Sequence, residues 1–264
     1  MKKRPVFWFY VLAFVISWLG WLPMVAASQG VSLFKHPAFQ ILLILPAIGP
    51  TLAAVVVQRV LVGKAETDSW FRSLWRWKVS VLWLVVAIAL PAILHLADNL
   101  VARILGLPLS LEVASEKMAG LVLSAFVIAL LSNPWEEVGW RGFALSRLQA
   151  RHTAFTATLI VGALWALWHL PIYFWTDNPM SQSPFVLGFI STIALSFIYT
   201  WLYNSTQGSV LAVALYHVLD NTYGALCGSG SVVARCIVNV GVAVVLIGVF
   251  GMTNLSRTER ARAG

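Results

Sequence analysis

This sequence has little charge. Lys, Arg, Asp and Glu make up 11% of the 264 residues, and only 10 residues are acidic. Soluble domains carry about a quarter charged residues, so a soluble globular fold is excluded. The 59% of hydrophobic residues reads instead as a polytopic membrane protein. Cysteine is scarcer still, with 2 in the chain, which excludes a disulfide scaffold and a Cys-rich metal cluster. Cys227 and Cys236 flank Gly228-Ser229-Gly230-Ser231, and two readings stay open: a disulfide if that turn faces an oxidising compartment, or two buried thiols. Internal repeats, low-complexity tracts and a second domain are also missing, so residues 1–264 read as a single integral membrane domain. The net charge of +8 does not gather into a nucleic-acid patch. The positives lie in short loops between apolar runs, where their partners are lipid head groups.

What the chain has in abundance is long apolar runs. A membrane helix needs ~20 apolar residues in succession, and eight stretches qualify: Phe7–Ala27, Phe39–Val62, Ser80–Val101, Met118–Leu148, Ala154–Trp175, Phe185–Tyr203, Ser209–Cys227 and Val232–Met252. The expected fold is therefore all-α, a polytopic bundle of about eight transmembrane helices around an intramembrane polar chamber. Pro134 predicts a kink or break in the fourth span. With the N-terminus inside, fourteen Lys and Arg fall in inner segments and four in outer ones, which places both termini in the cytoplasm, most simply at the cell membrane. Lys2-Lys3-Arg4, the apolar run and Val25-Ala26-Ala27-Ser28 also resemble a cleaved signal peptide, but the length of the run and Trp8, Trp18 and Trp21 favour a retained helix. The inner loop Lys64–Lys78 mixes Trp70, Phe71, Leu74, Trp75 and Trp77 with basic residues, as an interfacial, lipid-anchoring helix would. The polar end Ser256–Gly264 is expected to be a short disordered tail.

Against this background the acids stand out. Glu136 and Glu137 interrupt an apolar run in Asn133-Pro134-Trp135-Glu136-Glu137-Val138-Gly139-Trp140-Arg141-Gly142. A carboxylate in a bilayer costs several kcal/mol unless it is paired, protonated or wet. Glu137 and Arg141 have i,i+4 spacing, ordinary for a helix salt bridge. Trp165 and His169 share a face of the fifth span, as do His217 and Asn221 in the seventh, with Asp220 beside them. At ~1.5 Å of rise per residue, Glu136 lies ~18 Å above the inner surface, His169 ~22 Å, and His217 and Asn221 ~12 and ~18 Å. These groups thus share a middle band. His95, Asp98 and Asn99 form another polar cluster, nearer the outer surface.

One acid paired with Arg141 leaves the other free to accept a proton. A carboxylate and a histidine converging on a water make it a nucleophile, and a second histidine and an amide are suitable donors to an oxyanion. That inventory fits amide hydrolysis without Ser or Cys. Glu136, His169 and His217 also suffice as ligands for one divalent metal such as zinc, although no His-Glu-x-x-His helix exists here. A metal-activated and a metal-free water both remain open.

Glu136-Glu137-x-x-x-Arg141, Trp165-x-x-x-His169 and His217-x-x-x-Asn221 resemble, in this order and on separate helices, the motifs of the CPBP family of intramembrane proteases, which includes the CAAX prenyl endopeptidases and bacterial Abi-type proteins. The resemblance covers approximately residues 118–227. It implies an intramembrane endopeptidase acting on a peptide or membrane protein, with bacteriocin maturation or immunity as one setting. It implies Glu136 as general base, His169 as its aid in holding water, His217 and Asn221 as oxyanion donors, and Glu137 with Arg141 as organisers of the site. Trp165 departs from the Phe usual in the second motif. The competing classes are a transporter or channel with a buried Glu/His ion path, and a non-catalytic immunity protein that keeps the fold.

Overall fold

In lipid a single segment can satisfy all its own backbone N–H and C=O groups only as a helix, and the long apolar runs of this chain are helical throughout. The computed structural model describes residues 3–107, 115–227 and 231–262, and no β-strand occurs among them. Among the described residues ten α-helices run in order: α1 Pro5–Ser28, α2 Ile44–Val62, α3 Lys64–Leu74, α4 Val81–Ile104, α5 Ser115–Glu137, α6 Ser146–Gln149, α7 Ala154–Trp168, α8 Phe185–Ser205, α9 Val210–Cys227 and α10 Val232–Asn254. Seven segments among the described residues are long and apolar enough to cross a membrane: Pro5–Ser28, Pro37–Val62, Val81–Ile104, Met118–Gln149, Ala154–Phe174, Phe185–Ser205 and Val232–Asn254. These agree with seven of the eight expected spans. The eighth, Ser209–Cys227, is helical as α9 but is not among the seven, so the count of eight stands unconfirmed. The side chain of Cys227 and the turn after it lie outside the described residues, and with them the question of pairing with Cys236.

Helix α1 packs along α2, α5 along α9, and α8 lies between α7 and α10. Helix α9 also packs against α4, so it is held between α5 on one side and α4 on another. Leu, Val and Ile side chains on the outer faces stay exposed, Ile41, Leu131, Val186 and Val244 among them. Exposed apolar surface on this scale suits lipid rather than water.

One expectation is refined, one is extended and one is corrected. The fourth span does not break at Pro134: α5 runs through it to Glu137, and the change comes four residues later. Val138–Leu145 is wound as a π-helix, closed at its end by the Ser146 N–H bonded to the Arg141 carbonyl. The proline ring takes one N–H out of the helical ladder, and the winding widens beyond it instead of snapping. Second, aromatic residues of α3 and the loop after it also pack against protein. Trp70 meets Phe143 at 6.1 Å between ring centroids, and Trp75 meets Trp135 at 6.1 Å. Leu74 is buried against Gly142, while Trp77 stays 81% exposed. Third, the tail is ordered through residue 262. The Ala261 carbonyl accepts from Gln149 Nε2 at 2.7 Å, the Ala261 N–H donates to Asn204 Oδ1 at 3.1 Å, and Arg260 Nε donates to the Gln149 carbonyl at 3.0 Å. Burial of Gln149 and Asn204 requires such partners, and the tail supplies them.

Candidate active site

The site is built where α5 turns into the π-helix. Gly139 faces Pro50 of α2 so closely that a Cβ there would lie 2.6 Å from the Pro50 Cβ. Gly142 receives Leu74 in the same way, with a Cβ 3.1 Å from its methyl groups. These close approaches bury the whole segment Val138–Leu145, including Arg141. Such π segments are frequent at functional positions because they re-aim side chains within an otherwise regular helix.

Glu137 is fully buried and accepts two charge-assisted bonds on one oxygen. Arg141 Nη1 donates to its Oε1 at 2.9 Å, and His217 Nδ1 donates to the same Oε1 at 2.8 Å. The pair expected from i,i+4 spacing is therefore present, and His217, eighty residues away, completes it. The Arg141 guanidinium lies over two aromatic faces, 4.5 Å from the Trp165 ring centroid and 4.3 Å from that of Tyr199. Stacking of this kind suits the weakly hydrated, planar guanidinium.

Glu136, adjacent in sequence, is 8% exposed, and its Oε2 makes no hydrogen bond among the described residues. Glu137 Oε2 has no hydrogen-bond partner there either, so the two acids are distinguished by their ion pairs: Glu137 is held through Oε1 by a cation and an imidazole, and Glu136 has no ion pair among the described residues.

Both histidines have a defined tautomer, because each bonds to a group that can only accept. His217 gives its Nδ1–H to the Glu137 carboxylate. His169 gives its Nδ1–H to the Trp165 carbonyl at 2.9 Å. Each neutral ring is left with the Nε2 lone pair. His169 sits at the C-terminal end of α7, where Pro171 cannot continue the helix and a 3-10 turn, Leu170–Phe174, follows. Trp165 stands between the histidines, with ring centroids 5.6 Å from His169 and 5.5 Å from His217.

The structure brings together Glu137, Arg141, His217 and the Trp165–His169 turn, with Glu136 buried beside Glu137. It does not draw Asn221 into this buried cluster: Asn221 is exposed on α9, one turn beyond His217. Sequence reasoning missed three contributors. Asn133 Nδ2 donates to the His217 carbonyl at 3.1 Å, and its place one turn before Glu137 on an apolar helix was the available signal. Tyr199 had none. Helix α1, outside the residues that carry the resemblance, supplies a wall: Trp21 lies 4.4 Å from Trp168 and 6.2 Å from His169, and Trp18 Nε1 donates to the Trp168 carbonyl at 3.0 Å.

Zinc in a catalytic site takes three protein ligands, and no three His, Cys, Asp or Glu side chains among the described residues are grouped to hold an ion. Glu136, His169 and His217 therefore do not form a three-ligand cage in this geometry.

Residues 117–223 match the family model described as type II CAAX prenyl endopeptidase Rce1-like. The curated protein "CAAX prenyl protease 2" of Methanococcus maripaludis is 23% identical over 239 residues, which cover 83% of each chain. Both findings bear out the resemblance carried by the three motifs, and the matched residues contain all three.

Proposed function

From that similarity as premise, we propose that this chain is an intramembrane endopeptidase that hydrolyses a peptide bond with a water activated by Glu136. The observation that carries the reading is the contrast between the two acids, one ion-paired with Arg141 and His217 and one buried without an ion pair among the described residues. A general base needs a carboxylate that is not already committed to a cation.

Glu136 takes a proton from water while the His169 Nε2 lone pair accepts the other water O–H and orients it. The resulting hydroxide adds to the scissile carbonyl. Asn221, at the accessible rim, donates its amide N–H to the oxyanion. His217 donates from Nε2, and because its Nδ1–H is already committed to Glu137 it does so as the imidazolium. Glu137 balances that second positive charge, and Arg141 holds Glu137 in place. The tetrahedral intermediate collapses as Glu136 returns its proton to the leaving amine. Each step uses groups of this chain alone, and we propose a metal-free mechanism on the strength of the ungrouped ligands.

The substrate class follows from the setting. It is a peptide segment presented at or within the membrane, and the name of the archaeal relative makes a prenylated C-terminal peptide the first substrate to try. A role in bacteriocin maturation or immunity is the natural second. We place the protein in the cell membrane with both termini cytoplasmic. The bias of positive loops supports this even after Arg141, a buried ion-pair partner, is set aside.

Cleavage of membrane-tethered peptides by purified protein in proteoliposomes tests the reading, with ion flux followed in the same vesicles. Peptide cleavage abolished by Glu136→Ala, with no flux, supports it. Flux lost in Glu136→Gln without any cleavage would replace it with the transporter reading.

A further inference from the structure

A second buried polar cluster lies one turn along α9 from the proposed site. Asp220 follows His217 by three residues, so it points about 60° round the helix from it. Its partner is His95 of α4, whose Nε2 lies 2.9 Å from the Asp220 carbonyl and 3.2 Å from its Oδ1. Arg235 of α10 reaches the other side of the same ring, Nη2 to His95 Nδ1 at 2.7 Å. Arg235 Nε also pairs with Asp98 Oδ2 at 3.3 Å. A guanidinium only donates, so His95 Nδ1 accepts and Nε2 carries the proton given to Asp220. His95 and Asp98 are buried, and the adjoining cavity measures about 10 Å³. That is room for one water at most, so the cluster is a closed joint and not a ligand site.

We propose that His95, Asp98, Asp220 and Arg235 position α9 and so set where His217 and Asn221 meet the substrate. This rests on the reading of His217 and Asn221 as site residues. Helix α9 is fixed at two points: Glu137 of α5 draws in the His217 ring, and one turn on, His95 of α4 draws in Asp220. Two anchors on different faces determine both the rotation and the height of the helix. Asn221, next in sequence to Asp220, is exposed and has no side-chain hydrogen bond of its own among the described residues. Its location is inherited from the helix. Gly224 completes the joint, since a Cβ there would lie 3.3 Å from His95 Cε1. The missing side chain lets the ring reach the Asp220 carbonyl.

The test uses the full-length protein with 15N-labelled histidine. The imidazole resonances of His217 and His169 are compared in wild type, His95→Ala, His95→Gln and Gly224→Ala, alongside kcat and KM on a cleavable peptide. Positioning predicts that His95→Ala shifts His217 while His169 stays in place. It also lowers kcat by roughly 10- to 100-fold, as a misplacement of about 1 Å does, with KM little changed. His95→Gln, whose amide both donates to Asp220 and accepts from Arg235, restores much of both. Asn221→Ala added to His95→Ala produces little further loss. Gly224→Ala, which leaves every charge intact, reproduces the shift if His95→Ala does not fold. An unmoved His217 resonance in the folded variants overturns the proposal, as does full multiplication of the His95 and Asn221 effects. If wild type cleaves nothing, the protease reading fails, and the His217 resonance still decides the joint.

Discussion

Two adjacent carboxylates in one helix have different surroundings, and the roles proposed for them follow that difference. Glu137 holds a buried arginine and a histidine together through a single oxygen. Removing one member of a buried ion pair costs roughly 3–5 kcal/mol, so Glu137→Ala is expected to lower thermal stability markedly, visible in a melting experiment in detergent. Glu136 has no such partner to strand, and Glu136→Gln is expected to melt close to wild type. Trp165→Phe keeps an aromatic face over Arg141 with a weaker cation attraction. It is therefore expected to retain cleavage within about tenfold, whereas Trp165→Ala, which also removes the spacer between the histidines, loses far more. A further expectation concerns pH. Glu136 must be deprotonated to act, and His217 must be doubly protonated to donate. The profile of kcat/KM is then bell-shaped, and His217→Gln, whose amide N–H does not titrate, lowers the rate but removes the alkaline limb. At this scale the sequence was legible along each helix and blind between helices. Spacing revealed Glu137 with Arg141 and Trp165 with His169. The Glu137–His217 bond stayed hidden because rise per residue gives a side chain's depth and not its bearing.

Among the elements, the π-helix Val138–Leu145 does most to make the site. It depends on glycine at two backbone contacts, and Gly139→Ala would place a Cβ against Pro50 backbone atoms at 2.8 Å. Overpacking of this kind costs typically ~1–3 kcal/mol. The expected result is a lower melting temperature with a fall in activity from displaced Glu137 and Arg141, whereas Gly120→Ala, with nothing near its Cβ, leaves both unchanged. The apolar runs made the helix ends readable to within a few residues. Winding was not readable, because Pro134 announces a disturbance without saying whether the helix breaks or widens. Nor did polarity reveal that the tail docks, since the partners that order Ala261, Gln149 and Asn204, lie far away in sequence.

At the scale of the molecule, the bundle brings polar groups from α5, α7 and α9 to one buried place and clads them with exposed apolar faces. Composition alone made the membrane setting legible. What composition could not give was the arrangement of α4, α9 and α10 that turns two separate polar patches, His95–Asp98 and Asp220, into one joint. The central claim is that Glu136, and not Glu137 or a metal ion, activates the water. Single-turnover cleavage of a membrane-tethered peptide by wild type and Glu136→Gln, each with and without a strong chelator, measures it directly. The account predicts that Glu136→Gln, while still folded, loses roughly 10²- to 10⁴-fold in rate, the span of general-base catalysis, and that chelator leaves wild type unchanged. Wild-type turnover by Glu136→Gln, or wild type silenced by chelator and restored by a divalent metal, would contradict it.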